Sequence, residues 1–250
     1  MATPSRPHAK RKALRLLGAG VLAVVIVFLL VYFVLFPTSS PKPFKLQPRT
    51  SSATRSTSST SAPASSGTET HAAGSWKVSS GSQAGYRVRE KLAFLPAQSD
   101  AVGRTSQITG AATLSESAGV VKISKASFNV AVNTLKSDRS MRDEKIHSIG
   151  LESDRYPTAT FTLSKPLSVS ASAIRGHVAH LSVTGTFVIH GVSKQETLPI
   201  ELSLSGSTLE AAGAITFPWS EFGMTAPSVG GFVNVTGKAT MEFDLRLQRG

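Results

Sequence analysis

Leu181-Ser182-Val183-Thr184-Gly185-Thr186-Phe187-Val188-Ile189-His190-Gly191-Val192-Ser193-Lys194, with Leu198-Pro199-Ile200-Glu201-Leu202-Ser203-Leu204 close behind it, is the stretch whose reading decides the fold. Leu181, Val183, Phe187 and Ile189 share one parity, and so do Leu198, Ile200, Leu202 and Leu204. Apolar side chains at every second position turn one face of an extended strand to a core and leave the other polar. His190-Gly191 stands where the first run ends, a polar residue and a turn glycine. The alternation recurs from Tyr86 to Leu92 and again at Met241, Phe243, Leu245 and Leu247. Further strands are expected around 104–114, 120–133, 158–169 and 209–217, punctuated by Gly, Ser and Pro at the spacing of an all-β barrel or sandwich. No internal repeat is evident.

One helix interrupts the series. Ser140-Met141-Arg142-Asp143 has the spacing of a capping box, Gly150 supplies a stop, and Ile146 and Ile149 give the helix an apolar edge. Pro157 forces Tyr156 out of helical geometry, so the chain straightens there and Ala159, Phe161 and Leu163 fall on one strand face.

The net charge of +12 is unevenly spread. Residues 1–74 carry nine Lys or Arg against one Glu, and residues 75–250 carry eighteen against fourteen. No basic stripe with interleaved aromatics appears, so nucleic acid is not an expected partner. The absence of cysteine excludes disulfides, thiolate metal sites, a Cys nucleophile and N-terminal lipidation at Cys.

Leu16 to Phe36 is an uncharged apolar run of 21 residues. As a helix it would span roughly 32 Å, close to the ~30 Å of a bilayer core. Arg6, Lys10, Arg11, Lys12 and Arg15 precede it, and Lys42, Lys45 and Arg49 follow, a bias that keeps the N-terminus cytoplasmic. A cleaved signal peptide competes, but the run ends Val34-Leu35-Phe36-Pro37 without a small-residue cleavage pattern. The expectation is a basic cytoplasmic tail (1–15), a single-pass transmembrane helix (16–36) and an extracytoplasmic domain over 75–250. Between them, residues 37–74 read as disordered linker: 22 of the 34 residues from Pro37 to Thr70 are Ser, Thr or Pro. Its reach is roughly 35 Å as a coil and up to about 100 Å in polyproline form, which suits a tether or a simple spacer.

Several segments carry a likeness to known proteins. Arg142-Asp143 followed by Tyr156-Pro157-Thr158-Ala159-Thr160-Phe161, the Gly185–Lys194 stretch with Leu198-Pro199-Ile200, and Glu221-Phe222-Gly223-Met224 together resemble the YceI-like family of polyisoprenoid-binding proteins, over roughly Trp76 to Leu247. The resemblance implies an antiparallel, lipocalin-like β-barrel with an apolar interior that holds a long isoprenoid, and a short helix over one end. Two family features differ here: Trp219 replaces an Arg, and Gly81-Ser82 replaces a His-Ser pair. The lining is expected from Tyr86, Val88, Phe128, Val130, Phe161, Leu163, Leu181, Val183, Phe187, Ile189, Leu202 and Leu204.

Other chemistry finds little footing. Arg142 and Asp143 read as ties between the helix and nearby backbone. Asp143 and His147 share a helix face, yet two ligands do not make a metal site. His177 and His180 are three apart in an expected strand and so point to opposite faces. No G-x-S-x-G elbow or phosphate loop occurs. The reading is a lipid container with no catalytic residue, no metal and no cofactor. Its rivals are a filled barrel binding a protein partner on its outer face or at the loops near Ser99–Thr105, and an enzyme using His190 or Tyr86 in the lumen.

Overall fold

The computed structural model describes residues 26–27, 40–46, 71–93, 98–231 and 233–250. Twelve strands form one sheet: β1 (Gly74–Val78), β2 (Gln83–Leu92), β3 (Ser99–Thr105), β4 (Ile108–Ser117), β5 (Val120–Ala131), β6 (Thr158–Leu163), β7 (Leu167–Ser170), β8 (Ala179–Ile189), β9 (Val192–Ser205), β10 (Thr208–Phe217), β11 (Ser228–Val229) and β12 (Val233–Arg249). The order β1-β4-β5-β6-β8-β9-β10-β12 closes on itself because β12 also pairs with β1. β1 with β2, β3 with β4, and β6 with β7 each act as one stave with a break, giving an antiparallel barrel of eight staves. A closed sheet leaves few free edges, and at eight strands its interior is just wide enough to be filled by side chains or to hold one slender guest.

Local sequence accounts for the elements. β8 and β9 pair through Ile189↔Val192 around a two-residue turn, with φ 52° at His190 and 73° at Gly191. Both central residues are left-handed, the geometry that matches the twist of the flanking strands. Two expected strands are each two pieces. The 104–114 segment breaks at Ser106-Gln107, where Thr105 Oγ1 accepts from the Gln107 N–H at 3.0 Å. The 158–169 segment breaks at 164–166, where Pro166 has no N–H to give the ladder. Ser99–Thr105, expected as a loop, is β3, paired along β2.

The helix is α1 (Ser140–Lys145), continuing into a π-turn at Ile146–Gly150. It starts one residue earlier than a capping box requires: the N-cap is Arg139, without a side-chain cap. Asp143 Oδ1 instead accepts from the backbone N–H of Ser137 (2.8 Å) and its hydroxyl (2.6 Å). Ile146 is buried, but Ile149 is exposed, because the wider π-turn carries it off the packed face. Gly150 is needed for packing: a Cβ there would lie 3.2 Å from Pro227 and 3.5 Å from the Trp219 ring. A second short helix, α2 (Ala171–Ile174), lies at the other end of the barrel, where Ile174 packs with Trp76, Val121, Leu204 and Leu247.

His177 lies outside β8, so it and His180 do not share a strand. The apolar run Leu16–Phe36 lies outside the described residues except for Ile26 and Val27, which are helical. Among the described residues, no helix is long and apolar enough to cross a membrane. Within the expected linker, residues 47–70 lie outside the described residues, whereas Pro41–Leu46 rests on the barrel wall. The folded domain also begins before Ser75: Ala72 is fully buried and Gly74 opens β1.

Candidate functional site

The barrel encloses a cavity of about 150 Å³. It reaches from Leu209 and Leu247 near α2 to Val132 and Leu135 below α1. Of the residues around it only Thr160 and Glu242 are polar, and the Glu242 carboxylate is engaged by Arg87 and Arg104. An apolar cavity of this size stays dry and favours apolar guests, since a water inside would find too few hydrogen-bond partners.

Why the lumen stays open follows from pairs of residues on neighbouring strands. Phe128, Phe161 and Phe187 lie opposite one another across β5, β6 and β8. Phe128 and Phe161 are stacked at 6.5 Å, and Phe161 meets Phe187 at 5.0 Å with a 55° tilt. Each ring beside a glycine lies down on it rather than crossing the lumen. A Cβ on Gly185 would fall 2.1 Å from the Phe161 ring, on Gly110 2.7 Å from Phe128, and on Gly213 2.8 Å from Phe243. Aromatic-over-glycine pairs cover exposed backbone and hold the strands in register. Small residues on the inner wall (Ala84, Ala112, Ala126, Ala159, Ala211) supply the rest of the space.

Of the twelve residues expected to line the lumen, Phe128, Val130, Phe161, Leu163, Val183, Phe187, Ile189 and Leu202 border the cavity. Tyr86 and Val88 are buried in the core cluster beneath α1, beyond its end. Leu204 is buried in the cluster around α2, and Leu181 is half-buried between the two clusters. These four have the right parity but sit at levels where facing side chains meet. The alanines, Leu198, Ile200, Met241, Phe243 and Leu245 also border the cavity and are not among the expected residues. The parity of Met241–Leu247 was a visible signal for the β12 residues, whereas nothing in a single alanine marks it as wall.

The α1 end is polar. Glu90 shares its strand face with Tyr86 and Val88 and is buried. Arg142 meets it with two bonds, Nη2 to Oε1 at 2.5 Å and Nε to Oε2 at 3.3 Å, and also pairs with Asp138. Arg142 is therefore a strut from helix to barrel wall through side chains, not a tie to backbone. Burial opposes its charge, but Glu90 and Asp138 outweigh that and raise its pKa. Tyr86 Oη is buried without a partner, and burial raises its pKa far above the ordinary value, so it stays a neutral donor. Trp219 Nε1 is likewise buried and unpartnered. His190 stacks on Tyr156 at 4.4 Å and places Nε2 3.3 Å from Glu152 Oε1, so both belong to the wall of this end. His147 is used structurally: Nε2 donates to the Leu135 carbonyl at 2.9 Å and Nδ1 accepts from Ser153 Oγ at 2.8 Å. Among the described residues no cluster of three His, Asp or Glu side chains could hold a metal ion.

Residues 76–247 match the model of the YceI-like domain. No curated protein sequence matches the chain. Among solved structures, a polyisoprenoid-binding domain from Saccharophagus degradans, implicated in plant cell wall breakdown, superposes with a TM-score of 0.52 at 14% identity, covering 71% of this chain and 99% of that one. Burkholderia cenocepacia BcnA gives a TM-score of 0.47 at 19% identity, covering 66% of this chain and 95% of its own. A Campylobacter jejuni YCEI protein gives 0.44 at 15% identity, over 59% and 84%. At these identities the likeness of the S. degradans domain speaks to fold alone. The family match spans most of the chain and coincides with the closed barrel from β1 to β12, and on that ground the chain belongs to the YceI-like domain family.

Proposed function

We propose that the barrel holds a polyisoprenoid or similar long apolar lipid, sequestering or transferring it without covalent chemistry. The observation that carries this reading is the apolar cavity kept open by aromatic rings folded onto glycines; at about 150 Å³ it seats a short stretch of chain, and a longer one requires the lumen to widen. The family match and the polyisoprenoid-binding neighbour from S. degradans support it. The polar α1 end, with unpartnered Tyr86 Oη and Trp219 Nε1, suits a site where a chain enters and a head group stops.

The apolar run Leu16–Phe36 motivates the second half of the proposal: a single-pass anchor with the N-terminus cytoplasmic and the barrel extracytoplasmic, beside the membrane of the cell envelope. Energetics give the anchor a purpose. An isoprene unit of five carbons gains about 4 kcal/mol on leaving water, and nearly nothing on leaving a bilayer for an equally apolar barrel. Exchange through water is therefore extremely slow for a long chain. A barrel kept at the membrane exchanges lipid by contact instead.

The test is retention of a radiolabelled polyprenol by the full chain and three variants. Phe187→Asp puts a charge in the lumen and Ala159→Phe fills it without charge, and both should lose retention at least tenfold. Arg89→Ala, on the outer face, should retain the lipid as the parent does. Equal retention by all four proteins, with their barrel circular dichroism intact, would sink the assignment.

A further inference from the structure

The outer wall of the barrel carries a groove that already has an occupant. Cross-strand registers place Arg104 (β3), Gly85 (β2), Glu242 and Asp244 (β12), Ala212 (β10) and Glu201 (β9) in a row across five neighbouring strands. The row lies on the outer face, since Ala84, Phe243 and Ala211, adjacent to its members in sequence, pack in the apolar core, while the Glu242 carboxylate meets Arg87 and Arg104. An outward alanine is expected to be exposed, yet Ala212 is 1% exposed and Glu242 is 3% exposed. Gly85 and Ala212 make the floor low, and charged side chains make the walls.

Pro41-Lys42-Pro43-Phe44-Lys45-Leu46 crosses this row. Arg87 Nη2 donates to the Pro41 carbonyl at 2.7 Å, and Arg104 Nη2 to the Lys42 carbonyl at 2.6 Å. The Arg104 guanidinium lies 3.9 Å from the centre of the Phe44 ring. At the far end the Leu46 N–H donates to Glu201 Oε2 at 2.6 Å. The two arginines are themselves set by Glu242, at 3.3 Å from Arg87 and 3.0 Å from Arg104. Chemistry matches on both sides. The segment brings Lys42 and Lys45 to a wall carrying Glu201, Glu210, Glu242 and Asp244. Its two prolines lower the conformational freedom lost on docking, and they remove N–H groups that would otherwise need partners.

We propose that Pro41–Leu46 is a built-in docking strap and that this groove is its receptor, so residues 37–74 do not form one free tether. The second fixed point is Ala72: its N–H donates to Glu116 Oε2 at 2.7 Å and its carbonyl accepts from Trp76 Nε1 at 2.8 Å. The 24 residues from Gln47 to Thr70 are thereby joined to the barrel at both ends and add no reach. Joined to the proposed membrane anchor, on which this consequence rests, the strap leaves residues 37–40 as the only stretch of chain between the apolar run and the docked segment. Five peptide links span at most about 17 Å, against the ~100 Å of an extended linker. The strap thus shortens the chain available between the proposed anchor and the barrel domain.

The absence of cysteine makes a distance measurement clean. In the full chain in detergent, Lys45→Cys and His180→Cys are spin-labelled as a pair. His180 is exposed and lies opposite Glu201, the residue that holds Leu46. A docked strap gives one narrow distance below about 25 Å. A free segment running back from His71 gives a broad distribution of roughly 30 Å root-mean-square. Phe44→Ala with Leu46→Ala, which leave the barrel untouched, should convert the narrow distribution to the broad one. A broad distribution in the parent pair, or a narrow one that survives both strap substitutions, overturns the proposal. Lipid retention is read separately, so loss of lipid binding with a narrow distance rejects the container and keeps the strap.

Discussion

At the α2 end of the barrel, Trp76, Val121 and Ile174 have no exposed surface, and the buried polar atoms of Trp76 and Ser82 have partners. Trp76 Nε1 is bonded to Ala72, and buried Ser82 accepts from the Arg246 N–H at 2.9 Å while its hydroxyl reaches the Ser79 carbonyl. At the α1 end an ion pair is buried, and Tyr86 Oη and Trp219 Nε1 have no partner. One end is packed as a protein interior is packed. The other keeps polar atoms unsatisfied and is covered by a short helix, a π-turn and side-chain struts. Burying an unpaired polar group costs about 1–3 kcal/mol, so the α1 end is where stability has been given up. On the proposed container reading, the α2 end holds the fold together and the α1 end gives access.

The largest effect should come from Trp76→Ala, which removes a fully buried indole from the closed end and costs about 4 kcal/mol. Urea unfolding reads it; a loss below about 1 kcal/mol would mean that the α2 end is not the packed one. Next is Arg142→Ala, which strands Glu90 in the interior at a cost of about 3 kcal/mol. Adding Glu90→Leu should restore most of that loss, since the penalty belongs to the unpaired charge. No rescue by the double variant would refute the strut.

A sharper pair of experiments deletes one hydroxyl at each end. Ser82→Ala leaves the Arg246 N–H without its acceptor and should destabilise by about 1–2 kcal/mol. Tyr86→Phe removes an orphan hydroxyl and should stabilise by roughly 1 kcal/mol. Opposite signs are the expectation, and equal signs would erase the distinction between the ends.

The smallest effect is in acid. The Glu116 carboxyl is held below its ordinary value of 4.5, first by the Ala72 N–H and, against burial, by Arg175. Folding therefore favours its ionised form, so this contribution is complete at neutral pH. It fades as pH falls from about 4.5 through the lower folded value. Glu116→Gln should flatten the melting temperature's dependence on pH below 5, and an unchanged acid limb would show that another carboxylate is responsible.

What could be read in advance divides along the same line. Parity in β8, β9 and β12 assigns side chains to faces because strand geometry permits two directions only. It says nothing of height along the barrel, so it does not separate Tyr86, Val88, Leu181 and Leu204, which pack in the core beyond the cavity, from residues that border it. Glu90 has the inward parity of Tyr86, Val88 and Leu92, so alternation puts its charge on the core face without naming what neutralises it there. Its partner Arg142 lies 52 residues away, a pairing that only the fold brings about. The glycines that free the lumen act on rings of neighbouring strands, a cross-strand effect invisible along the chain. The strap was hidden by composition: Phe44 and Leu46 are the only large apolar residues between Pro37 and Thr70, and averaging dissolved them into a polar linker.

The central claim is that the cavity takes an apolar chain, and native mass spectrometry of the full-length protein released from detergent tests it directly. The account predicts one bound molecule of polyprenyl mass per chain after growth in, or exposure to, isoprenoid-containing membranes, and its loss in Ala159→Phe. A parent protein that flies empty under both conditions, with its barrel intact, would contradict it.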